Sequence, residues 1–207
     1  MDKTVTLVKL LMTREDAPYP VYALPAGYSF RMYHDGMERH WARIESSVGE
    51  FPNEDSALAY FEREFLIDRE SLYRRMIFVC DGSGTPVGTI TAWYGDLFGD
   101  RRGKLHWFAV TPSEQNKGLG RPLLTKCMQI FDEQEAGTRA YLGLQTWSYR
   151  AARLYLQFGF TPYFGSCPEG WVYATEDFER NNHLGWMIVH GKILEMQIRK
   201  TEKQLSP

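Results

Sequence analysis

Apolar residues in this chain come in short runs, separated by glycine, proline and acidic residues. Met76 to Cys80 and Val87 to Tyr94 are two such runs, rich in β-branched and aromatic residues, joined by Asp81-Gly82-Ser83-Gly84-Thr85-Pro86. That pattern predicts a β-hairpin. Lys104 to Val110 predicts a third strand, ended by Thr111-Pro112. Nearer the N-terminus, Thr4 to Met12 reads as a strand with Val5, Leu7 and Val8 on its packed face. Val21 to Tyr33 reads as extended, interrupted by Pro25-Ala26-Gly27. Met37 to Ser47 is helical in character. From Asn53 to Leu66, Leu58, Phe61 and Phe65 recur at helical spacing, with Asn53 or Asp55 as the cap.

Further along, Leu123, Leu124, Cys127, Met128 and Phe131 form the apolar stripe of a helix, with Pro122 at its first position. Ala140 to Thr146 predicts a strand. Ser148 is placed to cap a helix reaching Phe158, which Gly159 closes in a left-handed conformation. Phe160 to Phe164 and Trp171 to Ala174 read as short strands. Residues 176–203 carry helical spacing at Ile188, Leu194 and Ile198, whereas Trp186 to Val189 alone also suits a strand. This order predicts an α/β (α+β) fold, a mixed and mostly antiparallel central sheet flanked by helices. The expected division is an extension over 1–25, a main domain over 26–165, and a C-terminal strand/helix extension over 166–207 packed on the same domain.

With 207 residues the chain can bury a core without staples. Its net charge of −2 creates no field that favours nucleic acid or an anionic membrane. The three cysteines, Cys80, Cys127 and Cys167, have neither disulfide nor zinc-ligand spacing. That usage predicts a reducing, cytoplasmic compartment and no bound metal. The residues after Met1 lack an apolar signal core, and no apolar run has the length of a membrane span.

Candidate chemistry concentrates after the third strand, in Gln115-Asn116-Lys117-Gly118-Leu119-Gly120-Arg121-Pro122. Here a strand ends, two glycines follow and a helix begins. Helix N-termini expose unpaired N–H groups, and glycines let that backbone approach a bulky anion, so the segment suits a phosphate or pyrophosphate. Lys117 and Arg121 add cationic contacts. A plain glycine-rich turn that starts a helix is the competing reading. The Gly-x-x-x-x-Gly-Lys-Ser/Thr phosphate loop is absent, and Leu123 occupies the third glycine position of a dinucleotide fingerprint.

Val110-x-Pro112-x-x-Gln115-x-x-Gly118-x-Gly120-x-Pro122 resembles the acyl-CoA signature of the GNAT superfamily of N-acetyltransferases. A second block, Ala151-x-x-Leu154-Tyr155-x-x-x-Gly159-Phe160, resembles that family's later motif. The resemblance covers Met76 to Phe164. It implies a GNAT-like domain over 26–165 that uses acetyl-CoA as co-substrate. The backbone of Phe108, Ala109 and Val110 would pair with the pantetheine arm, and the amides from Gln115 to Gly120 would cradle the pyrophosphate. The strands Lys104–Val110 and Ala140–Thr146 would splay apart at one end. Ser148 stands where the family often has a cofactor-contacting Asn.

The resemblance also implies chemistry. Attack on a thioester needs a neutral amine, so a base must take its proton, and the departing thiolate benefits from an acid. Tyr155, at the family's tyrosine position, is the candidate acid; a core aromatic is the ordinary alternative. Leu105-His106-Trp107-Phe108-Ala109-Val110 resembles the corresponding strand of arylalkylamine N-acetyltransferases, which makes His106 the candidate base, against a satisfied core histidine. Glu45, acting through water, is a second candidate base, although a solvated helix face is its default reading. Acidic residues outnumber basic ones from His34 to Asp55, with Tyr28, Phe30, Tyr33 and Trp41 close by. A cationic amine would suit such a cleft, though a solvated helix pair with ordinary core aromatics is the default. The expected partner is a small-molecule or peptide amine, with no nucleic acid and no membrane. An acyl-CoA-binding sensor without turnover and a transferase of longer acyl chains are the alternatives. The late segment Trp186-Met187-Ile188-Val189, with Arg199, Lys200 and Lys203, reads as a helix packed within the subunit or as a homodimer contact.

Overall fold

The hairpin that the sequence marks most strongly forms the centre of the larger of two compact units. This computed structural model describes residues 1–135, 137–173 and 177–205. The two units interleave along the chain: one comprises Asp16–Gly95 and Arg102–Ala140, the other Met1–Glu15, Asp96–Arg101 and Tyr141–Pro207. The strands and helices fall in the class expected, a mixed and mostly antiparallel sheet flanked by helices.

The chain order is β1 (Lys9–Arg14), β2 (Ser29–Met32), α1 (Glu38–Ser47), α2 (Glu54–Phe65), α3 (Arg69–Arg75), β3 (Met76–Cys80), β4 (Pro86–Gly95) and β5 (Arg102–Val110). Then follow α4 (Gly120–Glu135), β6 (Ala140–Gln145), α5 (Tyr149–Gln157), β7 (Thr161–Pro162) and α6 (Phe178–Leu205).

In the larger unit β2, β3, β4 and β5 lie side by side, each antiparallel to the next. Alternation along β3 sends Met76, Phe78 and Cys80 into a cluster with Trp41 of α1 and Phe61 and Phe65 of α2. Asn53 caps α2, its side chain accepting from the Ser56 N–H at 2.8 Å. The α4 stripe of Leu123, Leu124, Cys127, Met128 and Phe131 is fully buried and packs on β3, β4 and β5. The helix begins at Gly120, two residues before Pro122, so the proline is its third residue. The run Arg69–Arg75, to which the sequence assigns no element, is α3. Asp68 opens it by accepting from the Ser71 N–H at 3.0 Å. It delivers Arg75 to a buried ion pair with Glu135 at 2.6 Å and to the Ala92 carbonyl at 3.1 Å.

In the smaller unit the strand order is β6-β1-β7. The first strand starts five residues later than the pattern predicts. Leu10, Leu11 and Met12 fill the core, whereas Leu7 is exposed, because the segment before Lys9 is held by isolated bonds such as Trp147 Nε1 to the Val5 carbonyl. Gly159 ends the α5 region at φ +82°, as expected. Arg14, 1% exposed, locks that corner by donating from Nε to the Phe158 carbonyl at 2.7 Å. Ser148 precedes α5 but makes no side-chain cap, which corrects its expected capping role: at φ −101° and ψ 26° it lacks the extended backbone of a cap. The last strand shrinks to Thr161–Pro162. Trp171 to Tyr173 forms a turn instead of a strand, and Ala174 lies outside the described residues. Trp171 joins Leu11, Tyr141 and Phe178 in a small core. Trp186 to Val189 is helical, part of the 28-residue α6, whose inward face is Asn182, Trp186, Val189 and Ile193.

Candidate active site

The glycine-bearing loop leaves β5 through a single turn, Pro112–Glu114. The Glu114 and Gln115 N–H groups both return to the Thr111 carbonyl, and the Gln115 side chain donates to the Val110 carbonyl at 2.9 Å. These bonds pin the loop base. Asn116 at φ +64° and Gly118 at φ +85° then turn the backbone twice into the left-handed region. Glycine adopts that region without strain and asparagine tolerates it. Among the described residues, the N–H groups of Asn116, Lys117, Gly118, Leu119 and Gly120 have no acceptor in the protein. Five open donors at a helix N-terminus, with the partial positive charge of the helix end, suit a diphosphate.

The nearby cations are partly engaged. Lys117 Nζ donates to Glu114 Oε1 at 2.8 Å, and Tyr28 donates its hydroxyl to Glu114 Oε2 at 2.5 Å. The Lys117 charge thereby offsets an acidic group that would otherwise repel an anion beside the loop. The Arg121 guanidinium stacks 5.3 Å from the Tyr22 ring. The Leu119 and Pro122 side chains are buried and anchor the loop to the core.

Strand β5 carries a bulge just before the loop. Thr91 faces His106 and Thr89 faces Ala109, so β5 holds one extra residue there. The strain falls on Trp107, at φ +49°, an uncommon backbone for a bulky side chain. Nothing in the sequence marks this bulge. Its ring is held at 5.1 Å from Phe51, 5.0 Å from Tyr60 and 5.4 Å from Trp41, which offsets that strain. Beyond the bulge, Ala109 and Val110 pair with Thr89 and Gly88.

His106, just ahead of the bulge, is not a core histidine with both nitrogens satisfied. Its Nε2 lies 2.9 Å from Glu64 Oε1 of α2, and Lys104 Nζ approaches the same oxygen at 3.7 Å. Among the described residues Nδ1 has no partner. Burial pushes the His106 pKa down to about 4, outweighing Glu64, which pulls it up. The His106 hydrogen bond is the first reason that Glu64 is held down at about 2. At neutral pH the pair is therefore a neutral imidazole donating Nε2–H to a carboxylate, with Nδ1 left as a proton acceptor. Sequence reading misses Glu64, because 42 residues separate it from His106 and only the packing of α2 on β5 joins them.

Glu45 overturns its default reading. It is 1% exposed, and its Oε1 is buried with no hydrogen-bond partner. Burial, followed by the charge of Glu50, raises its pKa well above the usual carboxylate range. The solvated face expected of the first helix instead belongs to neighbours such as Arg39.

The larger unit thus brings together Phe108 through Pro122 with His106. Tyr155 and Ser148 belong to the smaller unit, on and just before α5. Tyr155 is 6% exposed, with its ring 6.1 Å from Phe160. Its carbonyl accepts from the N–H groups of both Phe158 and Phe160, which fixes the end of the helix. Among the described residues no cluster of metal-ligating side chains gathers.

The family model described as the acetyltransferase (GNAT) family matches residues 35–160, a span that starts in front of α1 and ends at Phe160. The chain belongs to the GNAT family. Solved structures carry the same fold. A GCN5-related N-acetyltransferase from Sphaerobacter thermophilus aligns at TM-score 0.57 with 19% identity, covering 75% of this chain and 48% of that one. A GNAT-family acetyltransferase from Colwellia psychrerythraea aligns at 0.56 with 14% identity, covering 76% and 54%. A spermidine N-acetyltransferase mutant from Vibrio cholerae aligns at 0.50 with 16% identity, covering 66% and 81%. The aligned part is thus about half the length of the first two structures. No curated protein matches this sequence.

Proposed function

We propose that this GNAT-family chain transfers an acetyl group from acetyl-CoA to a primary amine, by direct attack in a ternary complex. The observation that carries the reading is the row of open N–H groups from Asn116 to Gly120 behind a pinned turn. These donors, on a turn braced by Gln115 and with Arg121 at the helix start, hold the diphosphate. The bulged strand offers the backbone of Phe108, Ala109 and Val110 to the pantetheine arm, and Ser148 takes the position of the family's cofactor contact.

His106 removes the proton that an ammonium must lose before its nitrogen can form the new amide bond. Glu64 keeps the Nε2 proton in place and so leaves Nδ1 as the base. Tyr155 takes the acid role by its place in the second family block and returns a proton to the sulfur as the C–S bond breaks. Groups positioned in this way typically contribute roughly 10²–10⁴-fold to rate. The acceptor class, a small-molecule or peptide amine, follows from the family chemistry. The spermidine enzyme among the structural neighbours makes polyamines the first compounds to assay. Free thiols at Cys80, Cys127 and Cys167 suit a cytoplasmic setting.

The test is release of free CoA from acetyl-CoA across a panel of polyamines, arylalkylamines, aminoglycosides, amino acids and peptide N-termini. Turnover with at least one amine is expected, and Tyr155→Phe should lower kcat about 100-fold with little change in cofactor affinity. Equal turnover by this variant removes Tyr155 from the mechanism. Tight acetyl-CoA binding without turnover on any amine favours the sensor reading, and turnover only with longer acyl-CoA donors favours the longer-chain transferase.

A further inference from the structure

Helix α6 presents two apolar faces, and the fold uses only one. Asn182, Trp186, Val189 and Ile193 point inward and are buried. On the opposite side Leu184, Met187, Leu194 and Ile198 are 46%, 70%, 57% and 49% exposed. With Gly191 among them, these positions alternate three- and four-residue steps, the spacing of a helix–helix seam. From Leu194 onward no described residue of α6 is buried, yet the helix runs on to Leu205. These last turns propagate a helix that its packed first half has already nucleated, and their described residues bury nothing within the unit.

The composition of the seam says which partner. Gly191 lies at its centre, and a β-carbon built there meets nothing within 4 Å. Leu184 and Ile198 are equidistant from Gly191, and Met187 and Leu194 flank it one turn out on either side. At the two ends, equally far from Gly191, stand the exposed Arg180 and Glu202, of opposite charge. A surface that is apolar and symmetric about a small residue, with opposite charges at its ends, is complementary to itself under a two-fold axis. Beside the seam runs an open groove of about 400 Å³, between Thr4–Thr6 and the Met187, Gly191 and Glu195 turns of α6. A crossing helix has room there.

We propose that α6 is the interface of a homodimer, in which the α6 helices of two copies pack antiparallel across a two-fold axis at Gly191. Leu184 then meets Ile198 of the second copy, and Arg180 meets Glu202. Each contact forms twice, once at each end, so the pair carries two Arg180–Glu202 salt links. The seam from Arg180 to Glu202 is about 33 Å long, at 1.5 Å per residue. That places the contact at the small end of specific interfaces, so the dimer dissociates on dilution in the micromolar range. The inference stands apart from the acyltransferase reading and uses none of its residues.

Sedimentation velocity of the whole chain from about 1 to about 100 µM, bracketing that range, tests it. A reversible monomer–dimer equilibrium is expected. Leu194→Glu/Ile198→Glu should be monomeric throughout, with the melting temperature and circular dichroism spectrum of dilute, monomeric wild type, because both side chains are exposed in the monomer. Arg180→Glu and Glu202→Arg should each weaken the dimer several-fold, and the double exchange should restore it. A monomer at every concentration overturns the proposal. So does a dimer that tolerates the Leu194→Glu/Ile198→Glu change, or a double exchange that fails to restore association, since that registers a different pairing.

Discussion

Replacing Glu45 by Gln tests whether a buried acid on α1 is held neutral by its surroundings. Glu45 is 1% exposed, and its Oε1 meets no donor. Desolvation, then the charge of Glu50, pushes its pKa well above the usual carboxylate range. In the unfolded chain it ionises near ~4.3. Between the unfolded and folded pKa values the folded protein holds the proton and the unfolded chain releases it. Stability from this group is therefore fully present below the unfolded pKa and is lost as pH rises towards the folded pKa. The loss is at most about 1.4 kcal/mol per pH unit. Gln keeps the shape and cannot ionise. Relative to wild type, Glu45→Gln should thus gain stability with rising pH, by as much as about 3 kcal/mol between pH 5 and pH 7. Urea unfolding at pH 5, 6 and 7, followed by tryptophan fluorescence, measures this, since Trp41 lies one turn away on the same face. A stability difference that stays constant across those pH values refutes the reasoning. With His106 as the base, the variant should also keep turnover within a few-fold; a stabilised variant without turnover moves the base to Glu45.

Two further substitutions probe the larger unit. At Gly118 a β-carbon meets only Pro25 Cγ, at 3.6 Å, so the strain of a side chain comes from φ +85° alone. Asn tolerates that backbone, so Gly118→Asn should bind acetyl-CoA within several-fold of wild type in calorimetry, whereas the equally sized but anionic Gly118→Asp should lose about tenfold or more, roughly 1.4 kcal/mol. Equal affinities for the two would remove the diphosphate from this loop. The His106 ring signal in NMR should not titrate between pH 5.5 and pH 8, with burial holding its pKa at about 4. Glu64→Gln should move the midpoint lower still and Lys104→Met should raise it, as the Glu64 and Lys104 charges act in those directions; a wild-type midpoint near 6.5 contradicts the pairing.

Much of the fold was legible because local signals agreed with the packing. The hairpin of Met76–Cys80 and Pro86–Gly95 combined β-branched runs with a glycine-rich connection. The α4 stripe matched its burial residue by residue. Where local signal and tertiary contact diverged, the sequence was a poorer guide. Leu7 looked like a core residue but lies outside the strand, and Arg69–Arg75 offers only Leu72 and Tyr73 as apolar positions, too few to show a period, although Asp68, the buried Leu72 and the buried Arg75 pair make it a helix. The second face of α6 blurred its helical period, so Trp186–Val189 suited a strand equally well. At the site, the loop was legible from its glycines and the family pattern. The bulge at Trp107, the Glu64 partner of His106 and the burial of Glu45 each depend on a residue distant in sequence.

The central claim is that main-chain donors from Asn116 to Gly120 receive the diphosphate of acetyl-CoA. Titrating acetyl-CoA into the ¹⁵N-labelled protein and following each amide in ¹H–¹⁵N spectra tests it most directly. Saturable shifts concentrated on Asn116, Lys117, Gly118, Leu119 and Gly120 are expected. Saturable binding that leaves those five amides unmoved, or no binding at all, would contradict it.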